Sequence, residues 1–265
     1  MTLKSLGPRL TAIGSGKGGT GKTFVALALA QAFADLGARV LVCDADLGLS
    51  NTSVQLGVAN GGDLPGLLAG KIALSEAVAR IESLPHAAFD LLAAPPGTGV
   101  LADAEAQTAE RLSILLKRAL NYDRVLIDLG AGVSPAVMTL AAHADDALVL
   151  VTPDPASLTD AYAFTKLMMR RTGGRLPSLV VNRASGASEA KRTAEALIQS
   201  ARTFLKSAPN YLGFVPEDQR VLEAGRRQMA LGALYPQSPA LGAIAALAGL
   251  LGGQLGSSPR AHSLR

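Results

Sequence analysis

A glycine-rich run, Gly16-Lys17-Gly18-Gly19-Thr20-Gly21-Lys22-Thr23, concentrates two lysines and two threonines on a backbone free to curl. It fits the pattern G-x-x-x-x-G-K-[ST] at every fixed position. It also lies between an apolar run and a helical pattern, the setting that pattern requires. Consecutive N–H groups in such a loop point at phosphate oxygens, and the helix that follows adds the positive end of its dipole. Gly16, Gly18, Gly19, Thr20 and Gly21 are therefore expected to cradle phosphate. Lys22 is expected to reach the β- and γ-phosphates, and the Thr23 hydroxyl to ligate magnesium. A glycine-rich turn with no ligand would need neither Lys22 nor Thr23.

Three aspartates supply the opposite charge. Asp44 and Asp46 end the apolar run Val40-Leu41-Val42-Cys43, and residues two apart on an extended segment point the same way. Side-by-side anions repel unless a cation or a water-positioning task accounts for them, and a magnesium nucleotide supplies both. An exposed acidic loop is the plainer alternative. Leu126-Ile127-Asp128 is another apolar run ending in an acid, and Leu129-Gly130-Ala131-Gly132 follows it. That arrangement holds magnesium through a coordinated water at the acid and continues into a switch segment. Asn182 ends the run Leu179 to Asn182, where its amide can pair with the edge of adenine or simply form a turn.

Other chemistries fail on inventory. His86, His143 and His262 have no metal-ligand spacing, and Cys43 sits inside an apolar run as a small core residue. Neither a catalytic triad nor a zinc site is expected.

These residues need a scaffold that brings strand ends together. Apolar runs at Leu10 to Ile13, Arg39 to Asp44, Phe89 to Ala93, Arg124 to Asp128, Ala147 to Thr152, Leu179 to Asn182 and Tyr211 to Val215 read as strands. Helical spacing recurs over Phe24 to Leu36, Ala104 to Asn121, Ser134 to Ala142, Ser157 to Thr172, Ser188 to Leu205 and Pro239 to Leu251. Alternation of this kind predicts an α/β fold: a doubly wound, mainly parallel β-sheet with helices on both faces and ligands at the carboxyl ends of the strands. With 265 residues, 49% apolar and 17% charged, the chain is expected to form one domain. Its core runs from about 10 to 251, with a short flexible tail over 252–265.

The form GKGGTGKT resembles the deviant Walker A sequence of the MinD/ParA ATPases. That resemblance implies an ATP-hydrolysing switch that closes as a homodimer on ATP, with Mg2+ and ATP or ADP as its ligands. It gives Lys17 a role on the partner's nucleotide. It has Asp46 orient the attacking water, Asp44 support magnesium or switch geometry, and Asn51 and Gly132 belong to the switch and dimer face. The turn Phe214-Val215-Pro216-Glu217-Asp218 resembles the family's later base-contacting turn, which adds Pro216 and Asp218. Leu129 departs from the small hydroxyl residue common after the Walker B acid.

Three stretches, Asp44 to Gly57, Thr152 to Leu167 and Tyr211 to Pro239, are similar to the FlhG (FleN) branch of that family, which restrains flagellar number. Partners implied on that ground are an FlhF-type GTPase and flagellar transcription regulators or basal-body components. Met1 to Pro8 lacks the branch's activating start, and Gln254 to Arg265 lacks its amphipathic membrane helix.

A formal charge of +4 leaves open an acidic partner. Arg170, Arg171, Arg175, Arg183, Lys191 and Arg192 form the densest basic group, but no aromatic residues interleave with it, so a nucleic-acid partner is weakly supported. The run Ala240 to Leu251 is too short to span a bilayer; it reads as a core helix, with peripheral membrane contact the minor alternative. A single cysteine and the absence of a signal-like start fit the cytoplasm, with recruitment to the inner membrane face or cell pole through a partner. Two rival readings remain: a ParA-like partitioning or cargo-positioning ATPase that holds DNA nonspecifically, and an adaptor that binds nucleotide with little turnover.

Overall fold

A computed structural model describes residues 7–46, 52–84, 87–95 and 106–252. Asn51, His86, His262, the start of the chain and nearly all of the expected tail lie outside the described residues. Strand β1 (Arg9–Gly14) enters the glycine-rich loop and then α1 (Lys22–Asp35), and β2 (Val40–Ala45) carries Asp44 near its end. Short helices α2 (Thr52–Leu56), α3 (Leu64–Leu68) and α4 (Leu74–Ala77) lead into β3 (Ala79–Leu84) and β4 (Ala87–Leu92). The alternation resumes with α5 (Ala106–Lys117), β5 (Arg124–Leu129), α6 (Pro135–His143), β6 (Asp146–Val151), α7 (Pro155–Arg171), β7 (Ser178–Ala184), α8 (Ala187–Leu205) and β8 (Tyr211–Pro216). Helices α9 (Gln219–Arg226), α10 (Leu231–Leu234) and α11 (Pro239–Gly252) complete the described chain.

These strands form one sheet in the order β3-β4-β2-β5-β1-β6-β7-β8. Every pairing is parallel except β3 with β4. The doubly wound expectation therefore holds, with one strand added. Strand β3 alternates Arg80 and Glu82 with apolar residues and pairs along one edge only, so it lacks the continuous apolar run that marks the inner strands.

Successive strand residues feed opposite faces. Val125, Ile127 and Leu129 join the core under α5 to α8, whereas Leu126 joins the core under α1 and α9 to α11. Helix α11 buries Ala240, Ile244, Leu247 and Ala248, the behaviour of a core helix. Among the described residues no helix is long and apolar enough to cross a membrane. Helix starts explain the chain direction at the sheet's carboxyl edge: Ser134 caps α6 and Asp154 caps α7, each followed by a proline already fixed at a helical φ.

Candidate nucleotide site

The loop after β1 is shaped by its glycines. Gly19 and Gly21 adopt φ of 77° and 90°, and a Cβ on Gly21 would lie 2.4 Å from Asn182 Nδ2. A Cβ on Gly16 would fall 2.2 Å from the Asp160 backbone, because the first turns of α7 press on the loop. Gly21 is the N-cap of α1, so the helix begins at Lys22, two residues before the sequence pattern placed it. Lys22 and Thr23 are thereby the first residues of a helix whose N-terminus faces the loop.

Lys22 is buried, and its Nζ donates to Ser15 Oγ at 3.0 Å. Burial lowers its pKa, while Asp128 and Asp46 act against that shift. Thr23 Oγ1 donates to Asp128 Oδ2 at 2.6 Å. Asp128 is 2% exposed and its carboxyl is pushed up to about 7, first by desolvation and further by Asp44 and Asp46. Its Oδ1 has no hydrogen-bond partner among the described residues. A buried carboxylate oxygen without a partner, next to a hydroxyl, is a fitting set of hard oxygen donors for Mg2+ or its bound water. Among the described residues no group of three or more His, Cys, Asp or Glu could hold a metal. The donors suit an ion that brings most of its oxygens with it, from phosphate and water.

Asp46 lines the cavity beside Lys22 and Thr23, and its Oδ1 lies 3.5 Å from where a Cβ on Gly130 would sit. Asp44 is directed differently. Its Oδ2 accepts from the Thr52 backbone and hydroxyl, and its Oδ1 accepts from Asp46 N at 3.1 Å. These contacts anchor the start of α2 and the backbone that carries Asp46. Gly132, at φ 86°, donates its N–H to the Ser15 carbonyl at 3.1 Å and so ties the segment after β5 to the loop. Leu129 is buried in the core.

Lys17 has a different address from Lys22. Its Nζ lies 2.9 Å from Asp154 Oδ1, and it is not among the residues that line the cavity served by Lys22. Asp154 also accepts from Thr152 Oγ1 and from Ser157 N, and those bonds, Thr152 first and Lys17 next, hold its carboxyl down at about 2. Sequence reading missed Asp154; an Asp-Pro pair opening a helix was its only signal.

The cavity encloses about 930 Å³ and runs from the loop to the turn after β8. Asn182, Pro216 and Asp218 all line it. Asn182 is 3% exposed and donates Nδ2 to Thr20 O at 2.7 Å, so its amide oxygen is the acceptor left for a base amine. Asp218 caps α9 through Arg220 N at 3.0 Å and accepts from Ser238 Oγ at 2.6 Å, which makes it a tie between helices as well as a wall. Arg183 and Glu217 were not singled out together; they pair at 3.2 Å across the rim, with Arg183 held at φ 60° where the β7 to β8 register shifts.

The basic group does not form one patch. Arg175 donates to the carbonyls of Ala141, Ala142, Ala144 and Asp145 at the end of α6, Arg183 is on Glu217, and Lys191 lies 3.8 Å from Glu195. His143 shares a hydrogen bond with Ser113 at 3.1 Å, between α5 and α6.

Comparison with known proteins gives a consistent picture. The CobQ/CobB/MinD/ParA nucleotide binding domain matches residues 11–231. The antiactivator FleN of Pseudomonas aeruginosa is 32% identical, over 96% of this chain and 90% of its own. The flagellum site-determining protein YlxH of Helicobacter pylori is 28% identical, over 92% and 81%. Among solved structures, the septum site-determining protein MinD of Pyrococcus horikoshii, complexed with Mg-ADP, superposes with a TM-score of 0.76 at 25% identity, covering 94% of this chain and 98% of that one.

Proposed function

We propose, for a chain that belongs to the CobQ/CobB/MinD/ParA nucleotide-binding family, that it hydrolyses ATP and uses the nucleotide to switch between one chain and a homodimer. The observation that carries this reading is the separation of the two loop lysines. Lys22 is buried in the chain's own cavity, and Lys17 stands outside it on Asp154.

The loop N–H groups and Lys22 bind the phosphates. Thr23 and the unpaired Oδ1 of Asp128 are the groups that would hold magnesium, which when bound neutralises charge on the transferring phosphoryl group. Asp46, steadied through its N–H on Asp44, orients the attacking water for in-line displacement. Lys17, once released from Asp154, reaches the nucleotide of the second chain and neutralises charge there. Asn182 accepts the amine of adenine through its amide oxygen.

The biological role we infer from the relatives is control of flagellar number or placement. FleN is named an antiactivator and YlxH a flagellum site-determining protein. An FlhF-type GTPase and flagellar transcription or basal-body components are the partners this reading implies, met in the cytoplasm or at the inner membrane face.

The test is calorimetry with sizing in solution. Lys22→Ala should weaken Mg-ATP binding on the order of a hundredfold, the loss of charge-assisted hydrogen bonds to phosphate. Asp46→Ala should retain ATP and accumulate as a dimer with ATP but not with ADP. An Asp46→Ala protein that binds ATP yet keeps the size of one chain removes the dimer switch from the proposal.

A further inference from the structure

Ser15 lies at the junction of β1 and the loop and is fully buried. Three hydrogen bonds pass through it. Its Oγ accepts from Lys22 Nζ at 3.0 Å, the same Oγ donates to the Lys17 carbonyl at 2.6 Å, and its own carbonyl accepts from Gly132 N at 3.1 Å. We propose that Ser15 is a positioning residue that aims Lys22 at the terminal phosphate of a bound triphosphate. This deepens, and rests on, the nucleotide-binding reading above.

A serine hydroxyl has one proton and two lone pairs. The proton is taken by the Lys17 carbonyl, so Oγ presents only lone pairs to Lys22. The ammonium of Lys22 carries three donors. One is taken by Ser15 Oγ, which leaves the other two for ligand oxygens. A carboxylate in this place would also hold the lysine but would cancel its charge. A neutral oxygen fixes the direction and leaves the positive charge for phosphate.

The arrangement also makes the aim of Lys22 depend on two other segments. The Ser15 hydroxyl is oriented by the loop at Lys17, and the Ser15 backbone is held by the segment after β5 through Gly132. A shift in either segment turns the acceptor that Lys22 rests on.

The readout is the ratio of Mg-ATP to Mg-ADP affinity, because only ATP offers the terminal phosphate. Both affinities are measured by calorimetry for the parent protein, Ser15→Ala and Ser15→Cys, each on a Lys17→Ala/Asp46→Ala background so that neither turnover nor closure of a dimer intervenes. Cysteine keeps the side-chain branching with a somewhat larger atom and gives up the strong oxygen acceptor. Both variants are expected to bind ATP about tenfold more weakly, with ADP weakened less than about threefold. A purely structural serine would loosen the loop for both nucleotides alike, so equal losses, or no loss, would overturn the proposal. If Ser15→Ala does not fold, Ser15→Cys decides the same comparison alone. Failure of the parent to bind either nucleotide would instead remove the nucleotide-binding reading itself, an outcome distinct from an unchanged ratio.

Discussion

Asp128 is set apart by its burial, with one oxygen engaged by Thr23 and the other without a partner among the described residues. An acid whose pKa is raised on folding contributes no penalty below its unfolded value, near 3.8, and an increasing one as pH rises through the folded value, about 7. The metal-free protein should therefore lose on the order of 1 kcal/mol of stability between pH 6 and pH 8 from this group. Thermal unfolding in chelator across that range checks it: Asp128→Asn should flatten the slope, and an unchanged slope would assign the effect to other groups. The sequence displayed Asp128 plainly, as an acid closing an apolar run. It displayed Asp44 and Asp46 as equals, because spacing along an extended segment carries no information on which carboxylate is claimed by a neighbour. The claim comes from Thr52, across a stretch of chain that no periodicity describes.

The loop and helix α7 form a contact with a clear asymmetry among glycines. Gly16 has the Asp160 backbone 2.2 Å from its notional Cβ, whereas Gly18 has nothing nearer than the Ala131 side chain at 3.9 Å. Gly16→Ala should destabilise the empty protein by roughly 1–3 kcal/mol, since backbone cannot turn aside as a flexible side chain would. Gly18→Ala should leave stability within about 0.5 kcal/mol, and denaturant melts of the two variants measure the contrast. Equal losses would mean that α7 yields to the added methyl group. Most elements were legible because inner parallel strands are unbroken apolar runs and the long helices keep one buried stripe. Strand β3 was not, being half polar and paired on one side. Helices α2, α3, α4 and α10 are one turn or little more, too short for a period to repeat. The start of α1 was displaced because a left-handed glycine as N-cap gives no capping side chain to read.

Over the whole molecule, the sheet separates two cores, and its carboxyl edge collects the loop, the aspartates and the cavity wall. At the opposite edge Arg124 is fully buried against the Phe33 ring, 4.3 Å from its centroid, and donates to Leu251 O at the end of α11. Strand β5 thus carries Asp128 near its carboxyl end and, at its start, the anchor of the last described helix. The fold class was readable from alternation alone, but this anchor was not, because a lone arginine at the start of a strand reads as solvated. The two addresses of Lys17 and Lys22 have a consequence for mixtures of chains. If Lys17 serves the second chain as proposed, a Lys17→Ala chain keeps a complete cradle and lacks only what it would lend its neighbour; a Lys22→Ala chain lacks the cradle but can still lend that group. Blending these two inert proteins should restore turnover through complementation, in one of the two composite sites of each hybrid pair, and a blend as silent as its parts would mean that both lysines serve the same chain.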